Sequence, residues 1–195
     1  MGVYSYYVVT KGRLPGVFTS WEECNAQVKG FPGGKFMGFF TREEADAAWA
    51  AAGESAEPIP EAPLQNSLVT KATWHPVTKA VEYQGAYYPS REVVFRVGPY
   101  QHGTNYLAEF LAIVHALAYC KQQGLALPVY SESQPALDWV RQGAVRTSYQ
   151  RTLDNQPLFA LVDRAEAWLK GNTYPNPLLR WYSRQWGENP ADFGR

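Results

Sequence analysis

The chain has 195 residues, 46% of them apolar, with 18 basic and 18 acidic side chains and a formal net charge of zero. That apolar content supports a real core and excludes a disordered chain, and the length accommodates one ordinary domain plus a small one. Neutrality excludes the overall basic excess by which some proteins hold phosphate backbones, so any nucleic-acid affinity has to come from local patches.

The charge is unevenly placed. Residues 1–52 carry five bases (Lys11, Arg13, Lys29, Lys35, Arg42) and five acids, residues 53–65 carry Glu54, Glu57 and Glu61 with no base, and residues 66–195 carry thirteen bases and ten acids. Cys24 and Cys120 lie far apart without metal-ligand spacing and read as reduced, partly buried thiols of a cytoplasmic protein. No apolar run approaches membrane-spanning length, and the N-terminus lacks the basic and apolar regions of a signal peptide, so no membrane partner is expected.

In chain order, Tyr4–Val9 is an aromatic, β-prone run. Lys11–Gly16 is a turn, and Val17-Phe18 resumes a strand. Ser20-Trp21-Glu22-Glu23 fits a capping box opening a helix to about Val28. Gly30–Gly34 breaks that helix, Lys35–Phe40 is a third strand, and Thr41-Arg42-Glu43-Glu44 caps an Ala-rich helix to about Ala52. Residues 1–52 thus read as a β-β-α-β-α module. Residues 53–65, with Pro58, Pro60 and Pro63, read as an extended acidic linker. Beyond it, 66–195 reads as a second domain. Ser67–Trp74, Val81–Tyr88 and Val93–Val97 are antiparallel strands. Asn105–Gln123 is a helix with Leu107, Phe110, Leu111, Val114 and Leu117 on one stripe. A short strand at Leu127–Ser131, helices at Gln134–Gln142 and Pro157–Lys170, and a strand near Leu178–Trp181 complete an α/β pattern.

In the first module, Tyr7-Val8-Val9-Thr10-Lys11-Gly12-Arg13, Gly16-Val17-Phe18-Thr19-Ser20-Trp21-Glu22-Glu23-Cys24 and Val28–Phe36 resemble the small hybrid-binding, or viroplasmin, domain that precedes many type 1 ribonucleases H. By spacing alone, Trp21 and Phe36 read as core residues of a small module. The resemblance instead implies that Tyr7, Trp21 and Phe36 pack against the sugar–phosphate backbone of an RNA/DNA hybrid or double-stranded RNA, with Lys35 beside them. A shallow minor groove lined by 2′-hydroxyls suits such flat side chains. That family usually has one or two lysines directly after the Phe; here Met37 and Gly38 stand there, which implies weakened phosphate contacts.

Thr104-Asn105-Tyr106-Leu107-Ala108-Glu109, Ser131-Glu132-Ser133 and Trp186-Gly187-Glu188-Asn189-Pro190-Ala191-Asp192-Phe193-Gly194 resemble motifs of a type 1 ribonuclease H. The resemblance implies a ribonuclease H-like fold, a mixed five-stranded sheet flanked by helices. It also implies a Mg²⁺ or Mn²⁺ site built from Glu109, Glu132 and Asp192, with Asn105 on the hybrid backbone. Two metals would activate a water and stabilise the leaving oxygen, held by carboxylates because Mg²⁺ prefers oxygen ligands. Glu132 stands where the family usually has Asp.

One acid of that set is missing. Residues 62–81 contain no Asp and no Glu, and registering Glu82-Tyr83-Gln84-Gly85 on the family aligns Lys71 with the absent Asp; a one-residue slip gives Thr70. Three clustered acids repel one another and recruit a cation or a proton, so Lys71 is expected to bond Glu109, Glu132 or Asp192 in place of a metal. Three readings follow: a nucleic-acid-binding protein with an impaired nuclease site, with or without a metal, an active ribonuclease H recruiting Glu82 or another acid, and a protein-interaction module using exposed aromatics such as Tyr6, Trp74 or Tyr88. His75, His102 and His115 lack metal spacing. His115, on the long helix, reads as a partly buried residue, and His102 is a weaker candidate for a nucleic-acid contact.

Overall fold

The computed structural model describes residues 4–53 and 59–194. Residues 54–58 of the predicted acidic linker lie outside the described residues. The chain divides into two compact units, Met1–Glu57 with Arg146–Gln150, and Pro58–Val145 with Arg151–Arg195. Among the described residues no helix is long and apolar enough to cross a membrane.

The first unit is a three-stranded antiparallel sheet with two helices. β1 (Tyr6–Lys11) lies between β2 (Gly16–Phe18) and β3 (Lys35–Phe39). α1 (Trp21–Val28) and α2 (Arg42–Gly53) pack on β1. Both predicted capping sequences close their helices. Glu23 N–H donates to the Ser20 hydroxyl at 3.2 Å, and the Glu23 carboxylate accepts from Thr19 N–H. At α2 the exchange is reciprocal: Glu44 N–H donates to Thr41 Oγ1 and Thr41 N–H to Glu44 Oε2. These bonds satisfy backbone donors that a helix start leaves unpaired. Tyr7, Val9 and Cys24 form the core, covered by Tyr4, Phe18, Trp21 and Val28.

The second unit is a five-stranded mixed sheet in the order β6-β5-β4-β7-β8. β4 (Ser67–Trp74), β5 (Val81–Tyr88) and β6 (Val93–Tyr100) are antiparallel neighbours; β7 (Val129–Ser131) and β8 (Leu178–Arg180) join them in parallel. α3 (Asn105–Gln123) crosses over β4 and β5, and α4 (Gln134–Gln142) and α5 (Gln156–Gly171) pack against it. A short α6 (Ser183–Trp186), absent from the sequence reading, follows β8. Leu107, Phe110, Leu111, Ile113, Val114 and Leu117 of α3 are buried, as the apolar stripe requires.

Several strand boundaries differ from expectation, and β1 runs over Tyr6–Lys11 rather than Tyr4–Val9. β7 begins at Val129 rather than Leu127. Pro128 has no N–H to offer a ladder, and the Leu125 and Leu127 carbonyls are taken by the Asn176 amide at 3.2 and 2.8 Å. β6 continues to Tyr100, beyond the expected Val97, and its pairing with β5 shifts register on the way. Cys24 and Cys120 are both buried and free.

Candidate nucleic-acid interface and carboxylate cluster

In the first unit the sheet brings the three predicted aromatics into one row. The Tyr7 and Trp21 rings lie 5.6 Å apart and those of Trp21 and Phe36 5.2 Å apart, all tilted. Exposure differs sharply along that row. Phe36 is 42% exposed, Trp21 is half-buried and Tyr7 is only 2% exposed. Tyr7 shares its side of β1 with Val9, so strand alternation turns its ring into the core. This departs from the sequence reading: the Tyr7 ring has no open face to offer and serves as the floor under Trp21. Its hydroxyl is buried without a hydrogen-bond partner among the described residues. Lys35 and Met37 are exposed.

In the second unit the parallel pairing of β4 with β7 lays two predicted residues side by side. Lys71 Nζ donates to Glu132 Oε2 at 2.5 Å. Strand alternation separates the two neighbours: the Thr70 hydroxyl points away and donates to the Tyr130 carbonyl at 3.1 Å. Lys71, not Thr70, therefore faces the acids.

Glu109 projects from the first turns of α3 and is 2% exposed. Its two oxygens are both engaged. Oε1 accepts from Ala72 N–H at 3.0 Å, and Oε2 from the Ser131 hydroxyl at 3.2 Å, which itself accepts from Ser133 N–H at 3.1 Å. Asn105 lies one helical turn before Glu109 on the same helix face, half-buried.

The charge of Asp192 acts on Lys71, and the C-terminal segment that carries it is tied down. The buried Asn189 amide donates to Thr70 O at 3.2 Å and its oxygen accepts from Ala191 N–H at 2.8 Å. From β5 the Gln84 amide donates to Ala191 O at 2.9 Å and Asp192 O at 3.3 Å. Arg96 lies over the Phe193 ring, 4.9 Å from its centre. Gln84, Asn189 and Ser131 were visible inside the quoted motifs, but nothing in their spacing marked them as supports.

Electrostatics follow from this packing. Burial opposes the charge on Lys71, but the hydrogen bond to Glu132 and the fields of Glu132, Glu109 and Asp192 outweigh it and raise its pKa. Burial chiefly, with help from the Glu132 charge, pushes Glu109 up to about 7; Ala72 N–H, the Lys71 ammonium and the Ser131 hydroxyl pull against it. Among the described residues no group of three or more His, Cys, Asp or Glu is arranged to hold a metal ion.

The histidines stand apart from this cluster. His75 Nδ1 accepts from Thr78 N–H in the β4–β5 turn. His115 stacks on Phe95 at 4.1 Å between ring centres, and burial first, then the nearby Arg164 charge, lowers its pKa.

The mixed sheet of the second unit thus has carboxylates on the first long helix (Glu109), just past the end of β7 (Glu132) and in the C-terminal segment (Asp192). The family model described as Ribonuclease H1 N-terminal domain matches residues 5–49. That match is confined to the first unit. Ribonuclease H1 of Mus musculus is 46% identical over 57 residues, 29% of this chain and 19% of that protein. Ribonuclease H1 of Homo sapiens matches with the same identity and coverage. The matched stretch thus spans about a fifth of the length of these relatives. Among solved structures, RNase H1 from Halobacterium salinarum NRC-1 aligns with 60% of this chain and 86% of its own at 18% identity and a TM-score of 0.35.

Proposed function

We propose that the protein binds RNA/DNA hybrid or double-stranded RNA and that its metal-dependent nuclease centre is disabled. The observation that carries this reading is the Lys71 ammonium seated on Glu132. A divalent ion bridged by carboxylates needs open oxygen ligands in near-octahedral array. Glu109 has both oxygens bonded within the protein, and Glu132 is committed to an ammonium. The residues present therefore do not fit a pair of Mg²⁺ or Mn²⁺ ions. Neutralisation that a metal would supply comes instead from Lys71 and from the proton affinity of Glu109.

Binding is ascribed to the Trp21 and Phe36 rings and to Lys35 in the first unit, and to Asn105 in the second. The match of residues 5–49 to a ribonuclease H1 N-terminal domain supports that assignment. The competing enzyme reading needs Glu82 or another acid as a substitute ligand, and Glu82 Oε2 accepts from Arg96 at 2.9 Å. The protein-interaction reading needs exposed aromatics; Tyr88 packs edge-on against Trp181 at 5.5 Å, and Lys79 covers Trp74.

The deciding experiment incubates the full chain with labelled hybrid and double-stranded RNA in Mg²⁺ and in Mn²⁺, and reads mobility shift and cleavage together. The expected result is a shift without cleavage. Robust cleavage abolished by Asp192→Asn overturns the disabled centre, and no shift with either duplex overturns the binding assignment.

A further inference from the structure

We infer that residues 60–64 form a strap docked on an aromatic face of the second unit, and that this strap holds the C-terminal segment carrying Asp192 against β7. The device lies within the second unit and does not depend on the nucleic-acid reading above.

Prolines and an acidic excess make residues 53–65 read as an extended linker. From Ile59 onward the described residues belong instead to the second unit, and Pro63 is buried. The backbone is fixed on either side of Pro63. The Trp186 indole N–H donates to Pro60 O at 3.0 Å, and Leu64 N–H donates to the Tyr130 hydroxyl at 2.9 Å. Leu64 O accepts from the Ser67 hydroxyl at 2.9 Å, where β4 begins. Proline suits such a segment because it has no N–H to leave unsatisfied and its fixed φ lowers the entropy lost on docking.

The two anchors belong to one cluster. The Tyr130 and Trp186 rings meet edge to face at 5.8 Å, and Trp181 meets both, at 5.9 and 5.4 Å. Tyr88 closes on Trp181 at 5.5 Å and Tyr182 on Trp186 at 5.2 Å. Edge-to-face geometry is favourable between aromatic rings. Tyr130 and Trp181 are buried, whereas Trp186 is half-buried and takes the strap.

Each anchor leads to the carboxylate cluster by a short path. Tyr130 stands on β7 just before Ser131 and Glu132. Trp186 ends α6, and the next residue, Gly187, accepts from the Trp181 indole at 3.2 Å. Trp181 N–H in turn donates to Ser131 O at 2.9 Å. Asn189, Ala191 and Asp192 follow on the same segment. A closed circuit therefore runs from Pro60 through Trp186, Gly187, Trp181, Ser131 and Tyr130 back to Leu64. The members of such a circuit loosen together, because each bond forms on backbone that the others have already ordered.

The test measures amide exchange in the full chain at Leu64, at residues 191–194 and, as reference, at residues 107–117 of α3. Tyr130→Phe deletes the hydroxyl and keeps the ring, Trp186→Phe deletes the indole N–H and keeps an aromatic ring, and Pro60→Gly/Pro63→Gly loosens the strap itself. Each is expected to speed exchange at residues 191–194 about two- to tenfold, the equilibrium effect of losing one net hydrogen bond, with α3 unchanged. Coupling is reciprocal, so Asn189→Ala, which frees the tail, should speed exchange at Leu64 as well. Faster exchange at Leu64 with residues 191–194 unaltered in all three strap variants overturns the inference. So does equal acceleration in α3, or a Leu64 amide indifferent to Asn189→Ala.

Discussion

The Lys71 ammonium on β4 and the Glu132 carboxylate just past the end of the parallel β7, 61 residues apart in the chain, meet at 2.5 Å. Both side chains are about a quarter exposed, so the pair is partly desolvated and each partner depends on the other. Removing one half of a desolvated pair leaves an uncompensated charge, and that costs more than the pair itself contributes. Lys71→Met should therefore lower stability by about 1–3 kcal/mol in urea unfolding. The Lys71→Met/Glu132→Gln double variant should recover much of the loss. Strict additivity of the two single changes would show that the pair is not coupled.

A carboxylate placed at position 71 tests the same site from the other side. Lys71→Asp adds a fourth carboxylate where the ammonium was, so in chelator it should unfold at lower temperature than the wild type. Mg²⁺ should then raise its melting temperature, because a ligand bound only by the folded state stabilises that state. The wild type should show no such Mg²⁺ response. Hybrid cleavage by the variant would mark the rest of the centre as competent; silence would implicate the extra methylene of Glu132 and the engaged oxygens of Glu109.

Glu109 makes stability depend on pH in a defined direction. Its pKa is raised to about 7 in the folded protein from an ordinary value of 4.5, so between those limits the folded state binds more protons than the unfolded. Stability from this group is complete below pH 4.5 and is lost as pH rises through 7, a change on the order of 3 kcal/mol. Glu109→Gln mimics the protonated form and can keep a hydrogen bond to Ser131. Urea midpoints should therefore vary less between pH 5 and 8 in the variant, which should be the more stable protein at pH 8. A wild-type midpoint that rises over this interval by an amount Glu109→Gln removes would contradict the assignment.

Asn189 and Gln84 hold the segment that carries Asp192. Asn189→Ala strips a partner from Thr70 O and from Ala191 N–H, both at buried residues, and should cost about 1–3 kcal/mol. Amide exchange at residues 191–194 should speed up in this variant and in Gln84→Ala. Protection unchanged in both would mean that the tail is held by Phe193 and its neighbours instead.

Gly38 is a place where the absence of a side chain is required, because a Cβ there would collide with the Tyr4 ring. Gly38→Ala should destabilise the first unit by about 1–3 kcal/mol through overpacking against Tyr4. Combining it with Tyr4→Ala should cost less than the two single changes summed, as expected for residues in contact. Simple addition in thermal melts would break the link between them.

Much of the fold was legible because local rules agree with the tertiary outcome. The apolar stripe of α3, the Ser20 and Thr41 caps and the breaks after Val28 and Trp74 are short-range signals, and each element stands within a few residues of where they place it. β7 is shorter than its apolar run because a proline and the distant Asn176 amide intervene. Tyr7 was misjudged as a surface ring because an aromatic strand of this kind does not announce which of its faces a helix will cover.

The identities of Glu109, Glu132 and Asp192, and of Lys71, are written in one dimension. So is the balance of charge over residues 1–52. What the chain order does not carry is contact between distant segments: the ammonium on Glu132, the Ser131 and Ala72 bonds that close Glu109, and the Gln84 amide on a carbonyl 107 residues away. Residue types and periodicity determined the elements and the inventory of charges. Strand register and burial alone decided which charges meet and which proton affinities shift, because both depend on distance and desolvation, and those exist only once the sheet has formed.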